Sequence, residues 1–125
     1  YYFKEFFLCD TGTISFVYLL EFLSTAGKSL ESMVDELNSR YFISGEINNK
    51  VADVPKVLAE IEATYGPNTI APIERMDGLT FEMGEWRFNI RSSNTEPLLR
   101  LNLEATTQEL MEQKRDEVLS IITKQ

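Results

Sequence analysis

Apolar and polar residues alternate along two neighbouring stretches of the chain. Trp86, Phe88 and Ile90 alternate with Arg87, Asn89 and Arg91, and Leu99, Leu101 and Leu103 alternate with Arg100, Asn102 and Glu104. A period of two places each apolar set on one face of a half-buried strand. The same pattern predicts strands in "LTFEM" at 79–83 and "PIERM" at 72–76, joined by a turn at Asp77 and Gly78, with a second turn at Gly84 and Glu85. Asp-Gly between alternating runs is a hairpin signal because both residues tolerate positive φ. Further upstream, "RYFISGEIN" reads as one strand, with Tyr41, Ile43 and Gly45 on one face and Phe42 and Ser44 on the other.

Two helices complete this region. Asp53 is placed to cap the first, with Pro55 in its opening turn, Val57, Leu58 and Ile61 as its apolar face, and Gly66 and Pro67 as its stop. Thr106 and Glu109 form a candidate capping box for the second, which buries Leu110, Met111, Val118, Ile121 and Ile122 and turns Glu112, Arg115 and Asp116 to water. The order β-α-β-β-β-β-α predicts an α+β domain, helices packed on one face of an antiparallel sheet.

Residues 1–39 differ in character. Five of the first seven residues are Tyr or Phe, and a helix between Gly12 and Gly27 carries Ile14, Phe16, Val17, Tyr18, Leu19, Leu20, Phe22 and Leu23 around nearly its whole circumference. A helix apolar all round calls for burial, and little else in this stretch supplies it. Ser29 is a candidate N-cap for a short helix through Leu37. The expectation is therefore a remnant of one domain at 1–39 and a self-sufficient domain at 40–125.

Composition narrows the function. With 125 residues, 43% apolar and 26% charged, the chain reads as globular, and a formal net charge of -8 opposes broad attraction to nucleic acid or an anionic membrane. No apolar run reaches the roughly 20 residues of a membrane helix. Cys9 is the lone cysteine and there is no histidine, which excludes an intrachain disulfide and removes the commonest metal ligand and general base. A free thiol in an acidic chain fits a cytoplasmic location.

Between the two strongest strands lies "RSSNTEP", residues 91–97. Ser, Asn and Pro are common loop residues, so one reading is a plain turn. The other is an anion cradle: Arg91 offers a planar fork of donors, Ser92, Ser93 and Thr95 offer hydroxyls, Asn94 an amide, and a tight turn leaves backbone N–H groups unpaired. Arg100 is a possible helper, though a solvated strand residue paired with Glu104 or Asp77 is the plainer reading. Glu96 sits where it would orient Arg91.

"RSSNTEPLLRLNLEA" resembles the C-terminal phosphate-binding loop and following strand of the α-D-phosphohexomutases, in particular their phosphomannomutase/phosphoglucomutase branch, with Asn94 the residue that points to the branch. "DGLTFEMGEWRFNIR" resembles the hairpin leading into that loop, and "YYFKEFFLCDTGTISFVYLLEFLSTAGKSLESMVDEL" resembles the end of the family's third domain, with Asp10 and Gly12 in its D-S-G segment. The resemblance implies a helical remnant of the α/β third domain at 1–39, followed by a TATA-binding-protein-like fourth domain at 40–125. It also implies substrate-phosphate binding by Arg91, Ser93, Asn94 and Thr95, with Ser92 at a variable position and no catalytic or metal-ligating residue here. The implied full enzyme interconverts hexose 1-phosphate and hexose 6-phosphate through a phosphoserine, Mg2+ and a hexose 1,6-bisphosphate intermediate. Its partners are then a phosphorylated hexose and the N-terminal domains of the same chain. The competing reading is a non-catalytic α+β binding module whose RSSNTEP segment is only a turn.

Overall fold

The computed structural model describes residues 2–93 and 95–124. Two compact units divide the chain, Tyr1–Leu37 and Asn38–Gln125. In the first, β1 (Tyr2–Phe3) pairs antiparallel with β2 (Cys9–Asp10). Helix α1 (Gly12–Ala26) ends at Gly27, whose φ of 63° is the left-handed stop that glycine accepts without strain. Helix α2 (Leu30–Asn38) begins where Ser29 Oγ accepts the Ser32 N–H at 3.2 Å, as its sequence predicts. No residue of α1 is buried, and Phe16, Val17, Tyr18, Leu20 and Phe22 stand exposed. The burial that its apolar circumference calls for is not supplied by the described residues.

The second unit is built on an antiparallel sheet. Strands β3 (Phe42–Ile43) and β4 (Ile47–Lys50) both pair with β7 (Leu98–Ala105), which pairs with β6 (Trp86–Ser92), which pairs with β5 (Leu79–Glu82). Helix α3 (Val54–Tyr65) connects β4 to β5 at the far edge, and α4 (Gln108–Thr123) closes the chain. Both helices send their buried residues, Val57, Ile61 and Tyr65 from α3 and Met111, Val118 and Ile122 from α4, into the same cluster as the apolar sheet residues. This is the α+β architecture expected, with helices on one sheet face and a polar face opposite.

Aromatic packing fixes the centre. Phe81 and Phe88 are direct cross-strand partners and stack at 4.7 Å, Trp86 stacks on Phe88 at 5.4 Å, and Tyr65 meets all three rings edge-on. Such pairs add to simple area burial and hold β5 and β6 in one register. The odd-numbered positions of β7 are buried while its even-numbered ones are half-exposed, as the alternation predicts.

Three local expectations fail, each for a physical reason. The strand 40–48 is broken: Ile43 pairs with Glu104 but Ile47 pairs with Leu101, so the edge carries one residue more than its partner. Gly45, at φ 67°, takes up the excess, and Ser44 caps the break, its N–H donating to Leu103 O at 2.8 Å and its Oγ accepting the Leu103 N–H at 3.0 Å. "PIERM" is not a strand; only Glu74 bridges Thr80. The ladder position at Glu82 is taken instead by Thr69 Oγ1 and the Ile70 N–H, and Pro72 has no N–H to give. Finally, α4 is capped by Thr107, whose Oγ1 accepts the Leu110 N–H at 3.2 Å, and the Thr106 N–H donates to Glu85 O, which leaves it unavailable for a capping box with Glu109.

Candidate functional site

Register brings two arginines together. Trp86↔Ala105 through Ser92↔Leu99 is one unbroken ladder, and within it Arg91 lies directly opposite Arg100 on the face away from the helices. Like charges placed so repel, and two carboxylates answer them. Arg91 Nη2 donates to Glu46 Oε2 at 3.1 Å and Arg91 Nη1 to Asp77 Oδ2 at 2.9 Å, while Arg100 Nε lies 3.9 Å from Glu46 Oε1. Arg100 Nε is buried and has no hydrogen-bond partner among the described residues. An N–H left so costs free energy unless something polar reaches it.

Each carboxylate is aimed by backbone. The extra residue at Gly45 rotates the edge strand so that Ile47 faces the core beside Leu101 and Glu46 falls on the arginine side. Asp77 is set by Gly78, at φ 80°, which lies against the β6 backbone: a Cβ there would stand 2.3 Å from Ile90 O and 2.6 Å from Arg91 Cβ. Asn89 Nδ2 donates to Asp77 O at 2.8 Å and fixes the same turn.

An open cleft of about 500 Å³ lies over these groups, lined by Asp77, Arg91, Ser92, Ser93, Thr95 and Arg100 among others. Its surface is polar, and it suits a small anion better than an apolar ligand. Ser93 Oγ and Thr95 Oγ1 are 3.3 Å apart, so the hydroxyls converge. The loop's backbone is less open than a nest requires: the Ser93 N–H donates to Leu98 O at 2.8 Å and the Thr95 N–H to Ser93 Oγ at 3.4 Å. Two backbone N–H groups of the loop are therefore already bonded, and its hydroxyls and the two guanidiniums supply side-chain donors to the cleft. Asn94 lies outside the described residues.

Electrostatics keep the guanidinium charged. Hydrogen bonding to Glu46, reinforced by the Asp77 charge, pushes Arg91 above its already high value. The hydrogen bond from Arg91, with further help from the Arg100 charge, holds the Glu46 carboxyl below its ordinary 4.5.

Residues 46–121 match the family described as phosphoglucomutase/phosphomannomutase, C-terminal domain. The chain belongs to that family. It is 40% identical to an Escherichia coli phosphomannomutase over 123 residues, 98% of this chain and 27% of that protein. It is 39% identical over 123 residues to a Xanthomonas campestris protein named "Phosphohexose mutases", again covering 98% and 27%. A phosphomannomutase of Methanocaldococcus jannaschii is 36% identical over 124 residues, 99% of this chain and 27% of that one. The chain therefore spans about a quarter of the length of these curated relatives. A solved phosphoglucomutase/phosphomannomutase family protein from Burkholderia thailandensis overlaps 63% of this chain and 16% of its own, at 23% identity and a TM-score of 0.48; family membership does not rest on that overlap.

Within this C-terminal phosphohexomutase domain, Arg91, Ser93 and Thr95 line one cleft. Arg100 departs from the plainer reading: it lines the cleft, while Glu104 pairs with Arg87 at 3.5 Å. Glu96 does not orient Arg91; Glu46 and Asp77 do. Glu46 was legible to no pattern, since it depends on a bulge 45 residues before its partner. The opposition of Arg100 to Arg91 follows from the ladder's register, which is centred between Thr95 and Glu96 rather than on the middle of RSSNTEP.

Proposed function

We propose that this domain holds a phosphate group of a phosphorylated hexose, within a phosphohexomutase that interconverts hexose 1-phosphate and hexose 6-phosphate. The observation that carries the reading is the side-by-side pair Arg91 and Arg100 lining a polar cleft with Ser93 and Thr95. Two guanidiniums and two hydroxyls line one cleft, and a dianionic group held there would meet donors of both kinds. Family membership supports the same chemistry.

In this reading the domain does not break or make the transferred bond. It holds the end of the sugar that is not reacting, which orients the other end for phosphoryl transfer with a phosphoserine. A bisphosphorylated sugar that turns over between half-reactions needs a holder blind to which end it grips, and a cluster of side-chain donors is such a holder. Mg2+ and the phosphoserine belong, in this proposal, to other parts of the enzyme. The chain alone is then inactive as a mutase. A cytoplasmic location goes with this metabolic role, and no described helix is long and apolar enough to cross a membrane.

A second reading draws on the loop itself, where Ser93 and Thr95 satisfy each other and the Ser93 N–H is already bonded. A turn needing no ligand looks the same. Titrating the 15N-labelled chain with glucose 6-phosphate and with mannose 1-phosphate separates the two. Amide shifts at residues 91–95 and at Arg100, abolished in Arg91→Ala, support the phosphate site. Undisturbed spectra at millimolar ligand support the turn.

A further inference from the structure

The two carboxylates on Arg91 are not equivalent, although their contacts differ by only 0.2 Å. Glu46 pairs with Arg91 and lies 3.9 Å from Arg100, is 38% exposed, and approaches from the edge-strand side of β7. Asp77 touches Arg91 alone, is 74% exposed, and lines the cleft itself. It occupies Nη1 of the guanidinium from the side an anion would enter. Its backbone is held independently of its side chain, through the Asn89 bond to its carbonyl and through Gly78 packed on β6. The carboxylate is thus free to change rotamer without moving the turn.

We propose that Asp77 is an exchangeable occupant of the phosphate site: in the empty cleft its carboxylate takes the Arg91 donor, and an incoming phosphate displaces it, while Glu46 stays as permanent backing. This rests on the phosphate-binding reading above and adds to it a residue that sets the threshold for entry. An anion must outcompete a resident carboxylate, so a dianionic phosphate with further hydroxyl and guanidinium contacts enters, and a weakly held monoanion does not. Glu46 acts in the opposite sense. It offsets the repulsion between Arg91 and Arg100, and without it the pair splays and no longer converges on one anion.

Opposite signs at two carboxylates on one guanidinium are the test. Inorganic phosphate and glucose 6-phosphate are titrated by calorimetry into the chain, Asp77→Asn and Glu46→Gln, with the melting temperature of each variant measured alongside. Asp77→Asn is expected to bind both ligands about 3- to 10-fold more tightly, the scale of one lost charge-assisted competitor in a solvated site. Acetate is expected not to bind the parent chain measurably and to bind Asp77→Asn. Glu46→Gln is expected to bind about 5- to 10-fold more weakly, by the same scale of interaction. If removing either negative charge strengthens binding equally, the effect is only general electrostatics and the proposal is overturned. Phosphate binding that is lost in Arg91→Ala but unchanged in Asp77→Asn overturns this inference and leaves the phosphate site standing. No binding by any of these proteins overturns both.

Discussion

At Gly78 a single methyl group has nowhere to go. The Cβ would meet backbone, Ile90 O at 2.3 Å and Arg91 Cα at 2.8 Å, and neither can step aside without moving β6. Gly45 has almost the same left-handed φ but open space around it. The two glycines therefore separate steric contact from conformational strain. Gly45→Ala is expected to cost about 1 kcal/mol, the ordinary penalty for a side chain at positive φ. Gly78→Ala adds a backbone collision and is expected to cost well over about 2 kcal/mol, with phosphate binding weakened because Asp77 and Arg91 shift together. Urea unfolding of both variants checks the ranking. On the ligand side, Arg91→Ala removes a charge-assisted contact and is expected to weaken phosphate binding by about 1.5–3 kcal/mol, measured in the same titration that separates the two readings of the loop.

Among elements, those dictated by period were legible and those dictated by competition for one hydrogen bond were not. Strands β6 and β7 announce themselves through Trp86, Phe88, Ile90 and Leu99, Leu101, Leu103, and Asp53 caps α3 as read, accepting the Lys56 N–H at 3.0 Å. The segment 72–76 has the right alternation, yet Thr69 reaches the β5 edge first. The start of α4 offered two adjacent threonines; Thr107 is the cap, and Glu85 O, remote in sequence, takes the Thr106 N–H that a capping box would need. Thr107→Ala is expected to lose about 1 kcal/mol of stability and Thr106→Ala much less. Equal losses in thermal melts would show that the cap is shared. In the candidate site the loop residues were named by their chemistry and Asp77 by its Asp-Gly turn, whereas Glu46 entered only through a bulge that no local pattern encodes.

On the scale of the whole molecule, Glu46 joins the edge strand to β6 and β7 through charge. Its carboxyl titrates below the ordinary 4.5 because Arg91 donates to it, and Glu62 and Asp116 are depressed likewise by Arg75 and Arg115. A carboxyl lowered by folding contributes stability that is fully present above its unfolded value and is lost as pH falls through the lower, folded one. The stability supplied by these contacts is therefore constant near neutrality and declines only in the acid range below 4.5. Glu46→Gln is expected to flatten the acid limb of the melting temperature against pH relative to the parent, leaving the limb's shape near neutrality unchanged. A parallel curve would show that Glu46 contributes nothing to acid sensitivity.

The interrupted edge at Gly45 has a bearing beyond its own chain. An antiparallel sheet with a free outer strand presents a row of unpaired N–H and C=O groups, which is a template for a neighbouring molecule. Here the outer row is split into runs of two and four residues, bent at a left-handed glycine, with Glu46 and Lys50 bracketing the longer run. A second copy would have to follow that bend to pair along it, so the kink that aims a carboxylate at Arg91 also disfavours intermolecular strand pairing at this edge.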